Sequence, residues 1–278
     1  MGRTTSALRR RAAGIVAVVA LAAPLVACGP SGGSGGQGED VLDAVMQRGT
    51  VRVGECMGLP PYGMYDAKNN PEGYDVDIAN LIGEKLGVKV EIVDTAVSNR
   101  IPALQTNQVD VVLCNTTRTL ERATQVAFTD TYAVAGTTIL SKGDAQISGV
   151  ADLNGRSVAV VKGAPFGALL AEMTPEANVI EFDQPSDAVV AVQQGQVDAL
   201  VEDSNFLQYQ ASLDKSLKVT KDSLTPLYYN SFALKYGSPK WQAWLNEFLF
   251  DLNVTGKNSE LYGKWFGGPL PFKLSPQY

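Results

Sequence analysis

A weak internal repeat of eleven residues constrains the fold of this chain more than any other feature. Ala103-Leu-Gln-Thr-Asn-Gln-Val-Asp-Val-Val-Leu113 aligns with Ala191-Val-Gln-Gln-Gly-Gln-Val-Asp-Ala-Leu-Val201. Such a repeat implies two related lobes. Around the first copy, β-rich and helical stretches alternate: strand over Thr50–Gly54, helix over Tyr74–Leu86, strand over Val88–Val93, helix over Asn99–Thr106, strand over Val109–Leu113. Ile78, Leu81, Ile82 and Leu86 share one helical face, and Gly87 is placed to stop that helix. The alternation resumes with strand Ser157–Val161, helix Phe166–Met173, strand Val179–Phe182, helix Ser186–Gln194 and strand Val197–Val201. This is βαβ order, so each lobe is an α/β unit with a mostly parallel sheet flanked by helices. An apolar fraction of 45% suffices to fill both cores.

Each repeat ends its strand in polar residues, Asn115-Thr116-Thr117 in the first and Glu202-Asp203-Ser204 in the second. Ligands of open parallel sheets bind outside the carboxyl ends of the strands, so these clusters are expected to face each other across a cleft. Helix capping is the alternative role, and one residue can serve both. Asp130–Leu140, β-branched and small without a loop signature, is expected to cross between lobes as one extended strand, and Tyr228–Leu234 to return. The expected order is lobe 1 over residues 40–135, lobe 2 over 136–228, and a return to lobe 1 over 229–278. Helices are expected around Trp241–Leu252 and Ser259–Phe266, with Trp241, Trp244, Trp265 and Phe248 as packing residues.

Ahead of the first lobe, Arg3, Arg9, Arg10 and Arg11 precede an uncharged apolar run from Ala12 to Ala27. That is the pattern of a signal peptide, residues 1–27, and it is shorter than the roughly twenty residues of a spanning helix. Leu25-Val-Ala-Cys28 resembles the lipobox of bacterial lipoproteins, which implies acyl chains on Cys28. The Gly- and Ser-rich segment over 28–39 is expected to be a flexible tether. An ordinary signal peptide with an incidental cysteine is the alternative.

Of the 23 basic residues four lie within 1–27, which leaves 19 against 29 acidic ones and a net charge of −10. Such a chain is not expected to bind nucleic acid. It contains no histidine, which excludes a Ser-His-Asp triad, a Cys-His pair and histidine-dependent metal sites.

Three segments are similar to the polar amino-acid binding proteins of ABC importers, the family 3 extracellular solute-binding proteins. They are Gly73-Tyr-Asp-Val-Asp-Ile78, Arg100-Ile-Pro-Ala-Leu-Gln105, and Asn115-Thr-Thr-Arg-Thr-Leu-Glu-Arg122 leading into Phe128-Thr-Asp-Thr-Tyr132. The second and third, with Lys264-Trp-Phe266, most resemble the glutamate/aspartate-binding branch. The resemblance implies a two-lobed periplasmic-binding-protein fold of type II-like topology, with two crossover strands as hinge. It implies no enzyme activity, no cofactor and no metal. Expected partners are a small-molecule amino acid, the membrane subunits of an ABC permease, and the lipid bilayer through acylated Cys28. A monomer at the outer, extracytoplasmic face of the cell membrane is expected.

The resemblance also implies roles. A free amino acid presents a carboxylate and an ammonium, and both charges need partners when withdrawn from water. Arg122 matches the carboxylate-binding position, supported by Thr117 and the Thr119 amide at the start of a short helix around Leu120–Ala123. Asp203 matches the ammonium acceptor, and Asn115 and Gly163 line the cleft. Arg100 is assigned to a second carboxylate, with a surface ion pair as the alternative. Without the resemblance, Arg118 and Arg122 with Glu121 read as a solvated helix face, and Asp203 as an N-cap.

Several positions depart from the family pattern. Cys56 stands where the acidic branch has a second arginine, Leu59 and Val97 where aromatic platforms are common, and Gly163-Ala164-Pro165 where a Gly-Thr-Thr-like turn is usual. Phe166 is expected to shape that pocket. Glutamate or aspartate is the favoured ligand and a neutral polar amino acid the next. Cys56 follows the first strand of lobe 1 and Cys114 the third, neighbours in a doubly wound sheet, so a disulfide is expected between them. Two other functions fit the same fold. One is a cyclohexadienyl or arogenate dehydratase-like enzyme with Glu55, Glu202 or Asp203 as acid; the other is a ligand sensor presenting to a membrane receptor.

Overall fold

A computed structural model of the chain describes residues 39–271. The signal peptide of residues 1–27, Cys28 and the tether up to residue 38 lie outside the described residues. The elements, in chain order, begin with α1 (Val41–Arg48), β1 (Thr50–Glu55), β2 (Met64–Tyr65), β3 (Pro71–Glu72), α2 (Tyr74–Leu86), β4 (Lys89–Asp94), α3 (Arg100–Gln105) and β5 (Val111–Val112). They continue with β6 (Ala127–Ala135), β7 (Thr137–Lys142), β8 (Ser157–Val161), α4 (Phe166–Met173), β9 (Asn178–Phe182), α5 (Pro185–Gln194) and β10 (Ala199–Asp203). The last are α6 (Ser204–Leu213), β11 (Leu217–Val219), β12 (Tyr228–Leu234), α7 (Pro239–Val254) and α8 (Lys257–Phe266).

Two five-stranded sheets organise the lobes, in the orders β4-β1-β5-β12-β6 and β11-β7-β10-β8-β9. In the first, β1 runs parallel to β4 and β5, while β12 is antiparallel to β5 and β6. In the second, β8 runs parallel to β9 and β10, and β7 is antiparallel to β10 and β11. Helices cover both faces of the second sheet. Val158, Val160, Ala199 and Val201 pack with Phe166 and Leu170 of α4, whereas Ala159, Val161 and Leu200 join a core with Ala188 and Val192 of α5. This period of two, with both faces apolar, is what a sheet covered on each side requires.

The stretch Asp130–Leu140, expected as one strand, is two. β6 ends at Ala135 in the first sheet and β7 begins at Thr137 in the second, so Gly136 alone lies between them. A Cβ there would lie 2.7 Å from the Ser223 hydroxyl of the returning segment. The Gly136 amide donates to Ser204 Oγ and its carbonyl accepts from the Ser204 amide, so the pivot is pinned to the head of α6. The expected short helix around Leu120–Ala123 is instead a 3-10 turn over Arg122–Thr124. The fully buried Trp241 donates to the Asp110 carbonyl and stacks on Trp244, tying α7 to the first sheet. Among the described residues no helix is long and apolar enough to cross a membrane.

Candidate functional site

The site lies where the ends of β1 and β5 in the first lobe meet β10 and the turn after β8 in the second. Its foundation is the junction after β5. Cys114 and Asn115 both sit in the left-handed region, with φ of 45° and 46°, a conformation that costs about 1–2 kcal/mol per non-glycine residue. Three features hold it. Cys114 is bridged to Cys56, with Cα atoms 4.9 Å apart. Its amide donates to Glu55 Oε2 at 2.9 Å, and the Asn115 amide donates to Asp75 Oδ2 at 2.9 Å. Both carboxyls are buried, and burial raises Glu55 well above its ordinary pKa and Asp75 to about 7.

From this junction the Asn115 side chain reaches across the cleft. Its Nδ2 donates to Asp203 Oδ2 at 3.0 Å, and its Oδ1 accepts from Asn230 of β12. Asp203, fully buried at the end of β10, gathers further donors. The hydroxyl of Tyr228 lies at 2.8 Å, that of Tyr62 at 3.2 Å, and the amides of Asn205 and Phe206 at 2.8 and 3.0 Å. The last two make Asp203 the N-cap of α6, so the capping role and the cleft role fall on one carboxylate. Burial raises its pKa even so.

The two arginines converge from the first lobe. Arg100, buried at the start of α3, donates to the carbonyls of Val97, Cys114 and Gly163. Arg122 donates to the carbonyls of Thr117 and Gly163, at 2.7 and 2.8 Å. Gly163 belongs to the second lobe, so its one carbonyl is gripped by both guanidiniums. Its φ is +82°, and a Cβ at this position would lie 2.6 Å from Ser98 Cα, which leaves room for glycine alone. Among the described residues, neither arginine has a carboxylate within 4.0 Å. Burial lowers Arg100 to about 9, and Arg122 in the same direction.

Thr117 is buried and paired to Asn230 in an isolated bridge; the Thr119 hydroxyl accepts from the Arg122 amide at 3.1 Å. Phe166 is buried at the start of α4 with its ring 6.3 Å from that of Tyr228. Arg100, Asn115, Thr117, Phe166, Glu202 and Tyr228 line a residual cavity of about 20 Å³ between the lobes. Arg122, Thr119 and Gly163 line an outer depression of about 480 Å³. The cavity holds about one water, so entry of anything larger requires the lobes to part. Tyr62 and Tyr228 are cleft residues that sequence reasoning missed. Tyr62 follows Pro60-Pro61, and a turn just beyond the carboxyl end of β1 was the available signal. Tyr228 opens a strand whose expected role was only to cross between lobes.

Two α/β lobes joined through extended crossings, with polar contacts from both converging in the cleft, are the architecture of a solute-binding protein. Residues 51–268 match the bacterial extracellular solute-binding proteins, family 3, and the chain belongs to that family. It is 30% identical to the ABC transporter glutamine-binding protein GlnH of Bacillus subtilis, over 87% of this chain and 91% of the relative. It is 26% identical to the glutamate/aspartate import solute-binding protein of Escherichia coli, over 96% and 91%. Among solved structures it is similar to an ancestral amino acid-binding protein described as a precursor of cyclohexadienyl dehydratase. That likeness has 36% identity and a TM-score of 0.77, and covers 81% of this chain and 99% of that one.

Proposed function

We propose that this chain is the amino-acid-capturing subunit of an ABC importer, closing its lobes on a polar amino acid, with glutamate or aspartate favoured over a neutral polar ligand. The observation that carries the reading is the pair of guanidiniums, Arg100 and Arg122, that meet at the Gly163 carbonyl and have no carboxylate partner among the described residues. Arg122, with Thr117 and Thr119, receives the ligand α-carboxylate in the fork geometry that guanidinium favours. Asp203 receives the ammonium in place of Asn115 and Tyr62, and Arg100 a second carboxylate. A ligand that touches both lobes favours the closed state, which the permease then recognises. Acyl chains on Cys28 would hold the receptor beside that permease, and no catalytic step is assigned.

A thermal-shift screen against the common amino acids tests this. A ligand at a hundred times its dissociation constant adds about 2.7 kcal/mol, and Arg122→Ala removes the shift while leaving the fold intact. No response to any amino acid would sink the reading.

A further inference from the structure

Glu202 is the cleft side chain that these roles leave unused. It is the penultimate residue of β10, only 6% exposed, and lines the cavity between the lobes. Its two oxygens differ. Oε1 accepts from the Asp203 amide at 3.1 Å, whereas Oε2 is buried and has no hydrogen-bond partner among the described residues. A neutral carboxyl keeps its proton on the oxygen that is not already accepting, so Oε2 is the hydroxyl and Oε1 the carbonyl.

The groups around it determine its charge. Asp203 lies beside it on β10, Arg100 faces it from α3, Arg122 from the 3-10 turn, and the Tyr228 phenol from β12. Burial, seconded by the Asp203 carboxylate, outweighs the Asp203 amide and the two arginines and brings Glu202 up to about 8, so at neutral pH it is an acid with a proton to give. A buried donor without an acceptor is costly. The cavity wall thus offers the Arg100 guanidinium and a carboxylic acid, while the Tyr228 phenol beside them spends its proton on Asp203.

We infer that Glu202 is a third recognition side chain, donating from Oε2 to an acceptor oxygen on the ligand side chain, and that the cleft thereby selects amino acids with a side-chain carboxylate. The inference rests on the reading of the cleft as an amino-acid site. A carboxylate satisfies Arg100 and Glu202 together because it is acceptor only. A primary amide places an N–H₂ against the Arg100 and Glu202 donors and leaves hydrogens unpaired, the kind of mismatch by which polar sites discriminate strongly. Deprotonation of Glu202 sets carboxylate against carboxylate, so affinity for an acidic ligand falls by up to about tenfold per pH unit above the Glu202 pKa.

Isothermal titration of the mature chain with L-glutamate, L-aspartate and L-glutamine between pH 6.5 and 9.5 tests this. The wild type should prefer the acidic ligands by at least about tenfold and lose affinity for them as pH passes about 8. Glu202→Gln keeps a donor but cannot titrate; it should bind L-glutamate within about threefold of wild type at pH 7, with a visibly flatter profile than wild type above pH 8. Glu202→Met keeps length without a donor and should lose about tenfold or more for L-glutamate. Preference for L-glutamine, identical pH profiles for wild type and Glu202→Gln, or a Glu202→Met affinity within twofold of wild type would each overturn the inference while the amino-acid reading stands. If Glu202→Met does not fold, the Glu202→Gln profile still decides. A wild type that binds no amino acid at any pH overturns both.

Discussion

Gly163 shows how much can depend on one residue without a side chain. Both arginines hold its carbonyl, and its α-carbon sits against the Ser98 backbone of the opposite lobe. Gly163→Ala places a methyl group where Ser98 backbone atoms already are, in a φ region that alanine avoids. The lobes must then sit further apart. Affinity should fall by about tenfold or more, and small-angle scattering with saturating ligand should give a larger radius than wild type. Unchanged scattering would show that the contact is not what limits closure. At this scale the sequence was only partly legible. The repeat pointed to Asn115 and Asp203 at strand ends, and the family segments to Arg100 and Arg122 in short helical stretches. The two phenols that crowd Asp203 were not legible, because Tyr62 and Tyr228 come from elements separated by over a hundred residues and meet only through sheet order.

At the scale of elements, the β1–β5 pairing carries the disulfide. Cys56 and Cys114 are 58 residues apart, and closing a loop of that length in the unfolded chain corresponds to about 4 kcal/mol of stability. Relaxation of the left-handed Cys114–Asn115 pair offsets part of this. Replacing both cysteines by serine should lower the urea-unfolding free energy by about 2–4 kcal/mol and, because Asn115 loses its anchor, weaken ligand binding as well. A stability loss with binding untouched would mean that Glu55 and Asp75 hold the junction alone. Helices α2 and α4 and strand β8 coincide with the sequence-based expectation because their apolar period and terminal glycine or proline signals are local. Strand β11 and the β2–β3 hairpin escaped it, and α6 entered only as the helix that Asp203 would cap. The two strands of that hairpin are two residues each, too short for a period to register, and α6 begins directly on β10 with Asp203 as both strand end and cap.

For the whole molecule, the buried carboxyls impose a pH dependence of stability. Asp75 and Glu202 are raised to about 7 and about 8, and Glu55 and Asp203 in the same direction, each chiefly by burial. A raised carboxyl favours the folded state below its unfolded pKa, and that contribution is lost as pH climbs through the folded value. One unit of difference is about 1.4 kcal/mol. The unfolding free energy should therefore decline from about pH 5 to about pH 8, opposite to the trend of a protein held by surface ion pairs. Urea titrations at pH 5, 6.5 and 8 check this, and a rise across that range would contradict the burial of these groups. The two-lobed α/β architecture was legible at this scale from the duplicated segment and the βαβ order. The single-residue pivot was not, since nothing local marks Gly136 as the place where a continuous β-branched run changes sheets.

The shared Gly163 carbonyl has one more consequence, for how such a receptor can drift under selection. On the proposed reading, first-lobe arginines secure closure by gripping second-lobe main chain, so the grip does not depend on which side chains the second lobe carries. On that reading, cavity-lining residues such as Ala164, Phe166 or Glu202 could be exchanged, and the preferred solute altered, while the latch is inherited intact. Specificity and motion are thereby separable traits, and a descendant can change its diet without relearning how to shut.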